Sequence, residues 1–141
     1  EDNMKDHEGN RICSIIEEPE LNLYPSTQKK LIEYVIEKRN SSKSKLIITT
    51  HSPYVLTTID NLIQANNVAE RGKQYAEKSS AVINSKYWID YNSVACYFFK
   101  DGKCFSTLDN ETKTIGASNI DDISIELSEI YDKLVDLKYE H

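Results

Sequence analysis

"ICSIIEEPELNLYP", residues 12–25, sets a short apolar run directly against Glu17 and Glu18, with a proline and Glu20 close behind. The run is rich in β-branched residues and too short for a helix, so residues 12–16 read as a strand buried on both faces. Three carboxylates within four positions would repel one another unless something cationic sits nearby. The stretch therefore proposes a buried strand that ends in chemistry, and the rest of the chain has to supply its context.

Downstream, Pro25-Ser26 starts a helix to about Arg39, with Leu31, Ile32, Val35 and Ile36 as its buried stripe. "NSSKSK", residues 40–45, ends that helix with turn formers. "LIITT", residues 46–50, is a second buried strand. Ser52-Pro53 then opens a second helix, with Ser as cap and Pro at the first helical position, where a missing N–H costs nothing. Val55, Leu56, Ile59, Leu62 and Ile63 line its inner face. Strand, helix, strand, helix with short connections is the pattern of a parallel sheet with right-handed crossovers.

The pattern breaks at residues 66–86, a polar segment that reads as a short helix with loops or a mobile insertion. "VACYFF", the Lys100-Asp101-Gly102-Lys103 turn and "CFSTL" follow as a β-hairpin. Ile120, Ile123, Leu127, Ile130, Tyr131, Leu134 and Leu137 then set a helical period over residues 119–138. Its first half is acid-rich and its second carries Lys133 and Lys138, which suits the helix dipole. The fold class is α/β, with parallel strands, a C-terminal hairpin and a closing helix.

At 141 residues the chain has room for one domain with a real core. It is 39% hydrophobic and 28% charged, values of a globular chain and not of a disordered one. No apolar run approaches the ~18 residues of a membrane span, and residues 1–11 read as a polar lead-in without a secretory signal. Cys13, Cys96 and Cys104 are an odd set without CxxC spacing, which argues against zinc and fits the reducing cytoplasm. A net charge of −6 argues against a surface built wholly for nucleic acid. The one basic stretch, Lys29, Lys30, Lys38, Arg39, Lys43 and Lys45, reads as a solvated helix face and loop, with a polyanion contact as the alternative.

In open α/β sheets, ligands bind beyond the carboxyl ends of the strands. Both parallel strands end there in polar groups: Glu17 and Glu18 on the first, Thr49, Thr50 and His51 on the second. Taken singly, each has an ordinary reading. Acidic residues after a strand are common in solvated loops, a lone histidine is often structural, and threonines are good strand residues. Their conjunction on one edge of one sheet points instead to phosphoryl transfer, where catalysis is mostly positioning and charge.

"IIEEPELNLYP" resembles the Walker B strand and D-loop of ABC-type ATPases in the RecF, SMC and OLD-like branch. "LIITTHSPYVL" is similar to the switch-histidine segment of the same branch. The tail, with "YWID", "FFKDGK" and "IDDISIELSEIYDKL", is similar to bacterial AAA-type ATPases of that branch. The resemblance implies a partial P-loop NTPase three-layer fold, with residues 1–141 as the C-terminal portion of one ATPase domain. It implies ATP and Mg²⁺ as ligands, Glu17 as the Mg²⁺-orienting acid, Glu18 as the water-polarising glutamate and His51 as the γ-phosphate sensor. It places Asn22 to Pro25 in the D-loop, with Asn22 and Tyr24 at the nucleotide and partner-facing side of a two-subunit sandwich.

The chain departs from that family pattern in three places. Glu17 stands where aspartate is usual, moving the carboxylate outward by about one bond. Tyr24 replaces the common D-loop histidine. The phosphate-cradling pattern GxxxxGK[ST] occurs nowhere in the sequence, nor does the Ser-Gly-rich ABC signature segment. The expectation is a fragment that completes an ATPase site with the missing N-terminal half of the same domain and is inactive alone. Its partners would be that half, a second copy in a homodimer and, through the whole protein, DNA, with no membrane. A non-catalytic assembly module and a carboxylate metal-dependent nuclease are the competing readings. Without the phosphate-loop strand, the edge of "LIITT" would need covering, by the hairpin or by a second copy pairing edge to edge.

Overall fold

The computed structural model describes residues 12–116 and 122–139. β1 (Cys13–Glu17) and β2 (Lys45–Thr49) are parallel neighbours, in register from Cys13 opposite Lys45 to Glu17 opposite Thr49. α1 (Pro25–Ser42) makes the crossover between them and α2 (Pro53–Ala69) follows β2. α3 (Lys73–Val82) packs on α2, and two 3-10 turns lead to the antiparallel hairpin of β3 (Tyr97–Lys100) and β4 (Lys103–Ser106). α4 (Asp122–Tyr139) closes the order. The expected residues 119–121 of that helix, and the lead-in 1–11, lie outside the described residues.

The core forms where α1 and α2 meet one face of the sheet. Ile32 and Ile36 of α1 and Val55, Leu56, Leu62 and Ile63 of α2 are buried together with Ile89, Tyr91 and Ile115. Leu46 and Ile48 of β2 pack against them, as alternation along a strand requires. The opposite parity faces outward. Ile15 is 65% exposed and its register partner Ile47 is 49% exposed. This corrects the expectation of strands buried on both faces. The helices packed against the core cover one side, and among the described residues no layer covers the other.

Residues 66–86 take the form of a short helix with loops, one of the two readings the sequence offered. Asn66 to Ala69 complete α2, and the Ser79 hydroxyl of α3 donates to the Ala65 carbonyl oxygen at 2.7 Å, a buried bond between the two helices. The 3-10 region is pinned to the end of α1, where Asn40 Nδ2 donates to the carbonyl oxygens of Lys86 and Trp88 at 2.9 and 3.0 Å. On α2, the Asp60 carboxylate accepts from the Ile115 N–H at 3.0 Å, which draws the segment after the hairpin onto that helix. The hairpin pairs within itself and makes a separate sheet, so of the two covers expected for β2, the hairpin and a second copy, the hairpin is not one. Its turn is the anticipated one, with Asp101 and Gly102 both at positive φ.

Candidate active site

β1 and β2 deliver two loops to one edge because they run parallel and in register. The chain leaves β1 at Glu18, whose N–H still donates to the Thr49 carbonyl oxygen at 2.9 Å. Glu18 then turns sharply, at φ 42°, and Asn22 at φ 60° turns again before Pro25 starts α1. On the neighbouring strand, Thr50 and His51 lead into Ser52, which caps α2 by accepting from the Val55 N–H.

The turn at Glu18 brings its side chain to His51. Nε2 of His51 lies 3.2 Å from Oε1 of Glu18. The imidazole is 88% exposed, so this contact adds little to stability and leaves the ring able to exchange partners. The two residues expected to act on water and phosphate are thus brought together at the surface. Glu17 lies beside them on the exposed parity of β1, opposite Thr49.

Asn22 and Tyr24 stand apart. Both face solvent, Tyr24 82% exposed, and neither side chain hydrogen-bonds to Glu18 or His51 among the described residues. Tyr24 contributes through its backbone, as the N-cap of α1, accepting from the N–H groups of Thr27 and Gln28 at 2.8 and 3.0 Å.

The third carboxylate behaves differently. Oε1 of Glu20 accepts from the Thr50 hydroxyl at 2.6 Å and from the His51 N–H at 2.8 Å. Its Oε2 is buried without a partner among the described residues. Burial pushes this carboxyl up, but the Thr50 hydroxyl and the backbone N–H groups of Glu20, His51 and Ser52 more than offset it. The net is a carboxyl held below its ordinary value. Neutral donors answer the repulsion problem for Glu20, solvent does so for Glu17, and His51 for Glu18.

One further residue escaped the sequence reading. Gln28 is buried, donates through Nε2 to the Leu23 carbonyl oxygen at 2.9 Å, and accepts from the Ser52 hydroxyl at 2.6 Å. Only the amphipathic position of Gln28, four residues before the buried Ile32, hinted that it faces inward.

Residues 1–56 match the family model described as AAA ATPase domain. The match takes in β1, the acidic loop, α1, β2 and the first turn of α2, so both strand ends that form the site fall within it. It supports an AAA-type ATPase, a class that binds nucleotide and generally requires Mg²⁺. No curated protein and no solved structure matches the chain. No helix of the described residues is long and apolar enough to cross a membrane.

The donors at the edge suit Mg²⁺, which prefers carboxylate oxygens and commonly takes only one or two from the protein, with phosphate oxygens and water completing its shell. Among the described residues no three His, Cys, Asp or Glu side chains gather into a cage.

Proposed function

We propose that this chain supplies the hydrolytic edge of an ABC-type ATPase site, in the RecF, SMC and OLD-like branch. The single observation that carries this reading is the meeting of Glu18 and His51 at 3.2 Å on the carboxyl edge of two parallel strands. Glu18 accepts a hydrogen bond from the attacking water and so raises its nucleophilicity toward the γ-phosphorus. His51, able to leave Glu18, donates Nε2–H to a γ-phosphate oxygen. Glu17 would hold Mg²⁺, which would neutralise charge on the phosphate oxygens.

A phosphate loop comes from another part of the same domain, since the backbone N–H groups and lysine of such a loop are absent from this sequence. The open face around Ile15 and Ile47 supports packing by such a part. Asn22 and Tyr24, exposed on the loop before α1, face a second subunit in a homodimeric nucleotide sandwich. DNA is one partner this reading allows the complete protein, and three cysteines without CxxC spacing fit a reducing cytoplasm.

In the complete ATPase, Glu18→Gln should retain Mg-ATP binding while hydrolysis falls by about 10²–10³-fold. Unchanged turnover in that variant rejects Glu18 as the water-polarising group. The 141-residue chain titrated alone with Mg-ATP should show no binding in the ~millimolar range or tighter. Saturable micromolar binding would defeat the reading that the phosphate cradle lies elsewhere.

A further inference from the structure

We propose that Glu20 is the positioning residue for His51, acting through a closed circuit of hydrogen bonds between the two loops. The proposal deepens the ATPase reading of the site and rests on it for its catalytic consequence. The circuit begins at the Glu20 carboxylate, which takes the Thr50 hydroxyl and the His51 N–H on one oxygen. The Thr50 oxygen in turn accepts from the Ser52 N–H at 3.0 Å. The Ser52 hydroxyl donates to Gln28 Oε1, and Gln28 Nε2 donates to the Leu23 carbonyl oxygen. The Leu23 N–H returns to the Glu20 carbonyl oxygen at 3.0 Å and closes the ring.

His51 hangs on this ring. Thr50 before it and Ser52 after it are both members, and its own N–H is held by Glu20. The imidazole has almost no packing of its own to fix it, being 88% exposed. Its starting point is therefore set by the backbone, and the backbone is set by Glu20. Among the described residues Oε2 is buried and accepts no hydrogen bond. Both donors instead converge on Oε1, where two charge-assisted bonds fix direction as well as energy. The ring also joins the exposed loop of Asn22 and Tyr24 to His51, so displacing residues 20–24 must carry the histidine with it.

The test uses ¹⁵N-labelled full chain and compares wild type with Glu20→Gln, Thr50→Val and Thr50→Ser. A carboxylate-bound amide resonates downfield and exchanges slowly. In Glu20→Gln and Thr50→Val the His51 amide should move upfield and exchange faster. In Thr50→Ser, which keeps the hydroxyl, it should stay at the wild-type position. Should Glu20→Gln fail to fold, the valine and serine variants decide alone. An unmoved His51 amide in a folded Glu20→Gln or Thr50→Val chain overturns the proposal.

The second arm measures hydrolysis by the complete ATPase. Glu20→Gln should lower kcat about tenfold with KM for ATP unchanged, the mark of lost orientation with intact binding. A general structural role would lower the unfolding midpoint and leave kcat of the folded fraction unchanged, which also overturns the proposal. A wild-type complete protein that hydrolyses no ATP, yet shows the amide signature, defeats the ATPase reading and supports the positioning of His51.

Discussion

Two loops in this molecule each hold a carboxyl below its ordinary value, and they do so by opposite means. Glu20 reaches Thr50 and His51, 30 and 31 residues away, and binds one strand's exit to the next strand's exit. Asp109 takes the Thr112 side chain and the N–H groups of Glu111 and Thr112, all within three residues, and stabilises only its own turn. The same contrast separates the regions around them. Residues 12–69 are joined by a shared core and by side chains that cross between elements. The hairpin of residues 97–106 closes on itself and leaves Phe99 75% exposed. Long-range bonds build a site out of distant segments, whereas local ones only shape a segment.

That contrast can be broken most forcefully at the core. Leu62→Ala should cost about 2–5 kcal/mol in urea unfolding, since it empties a site that α1 and α2 have closed around. A loss under 1 kcal/mol would mean that the two helices collapse easily and hold no rigid frame. Next in size is Ser52→Ala, expected to cost about 1–2 kcal/mol because it removes the cap of α2 and orphans buried Gln28 together. Equal stability of that variant and wild type would show that the circuit's middle link is dispensable.

Acid sharpens the comparison further. The Glu20 carboxyl gives up its proton more readily in the folded chain than in the unfolded one. Its contribution is complete above the unfolded value and is lost as pH falls through the lower, folded value. The stability gap between wild type and Glu20→Gln should therefore narrow on acidification across that window. A gap independent of pH would show that the charged form is not what Thr50 and His51 hold.

The smallest effects belong to the C-terminal half. Phe99→Ala removes one face of a cross-strand pair with Cys104 and should cost about 1 kcal/mol or less. Asp109→Asn keeps an acceptor for the same turn and should leave the thermal midpoint where it was. A marked fall for either would reveal that the hairpin region carries more of the fold than its exposure suggests.

Much of this division was legible in the residues. The β-branched runs, the Ser-Pro helix start and the Asp-Gly turn are local signals, and the parallel pair, α2 and the hairpin followed from them. The meeting of Glu18 and His51 at one edge was legible because each ends a strand, so sheet order alone brought them together. Glu20, Thr50 and Gln28 form their circuit across separations that leave no spacing pattern, and nothing local distinguishes them from ordinary loop and helix residues. The openness of Ile15 and Ile47 was equally hidden, because an apolar run states what could be buried and not how many layers arrive to bury it. The serines after Arg39 misled for another reason. Ser41 and Ser42 donate to the Glu37 and Lys38 carbonyl oxygens, so α1 continues to Ser42 before Lys43 ends it in a left-handed conformation.

On the proposed reading, the turn at Glu18 sets evolution's two demands against each other at a single codon. A side chain longer than asparagine in left-handed backbone costs about 1–2 kcal/mol, and glycine or asparagine would relieve it. A library randomised at position 18 and sorted for thermal resistance should therefore fill with Gly and Asn. The same library sorted for hydrolysis in the complete ATPase should return Glu. Divergent winners from one position would mark it as a place where selection has kept chemistry at the expense of rigidity.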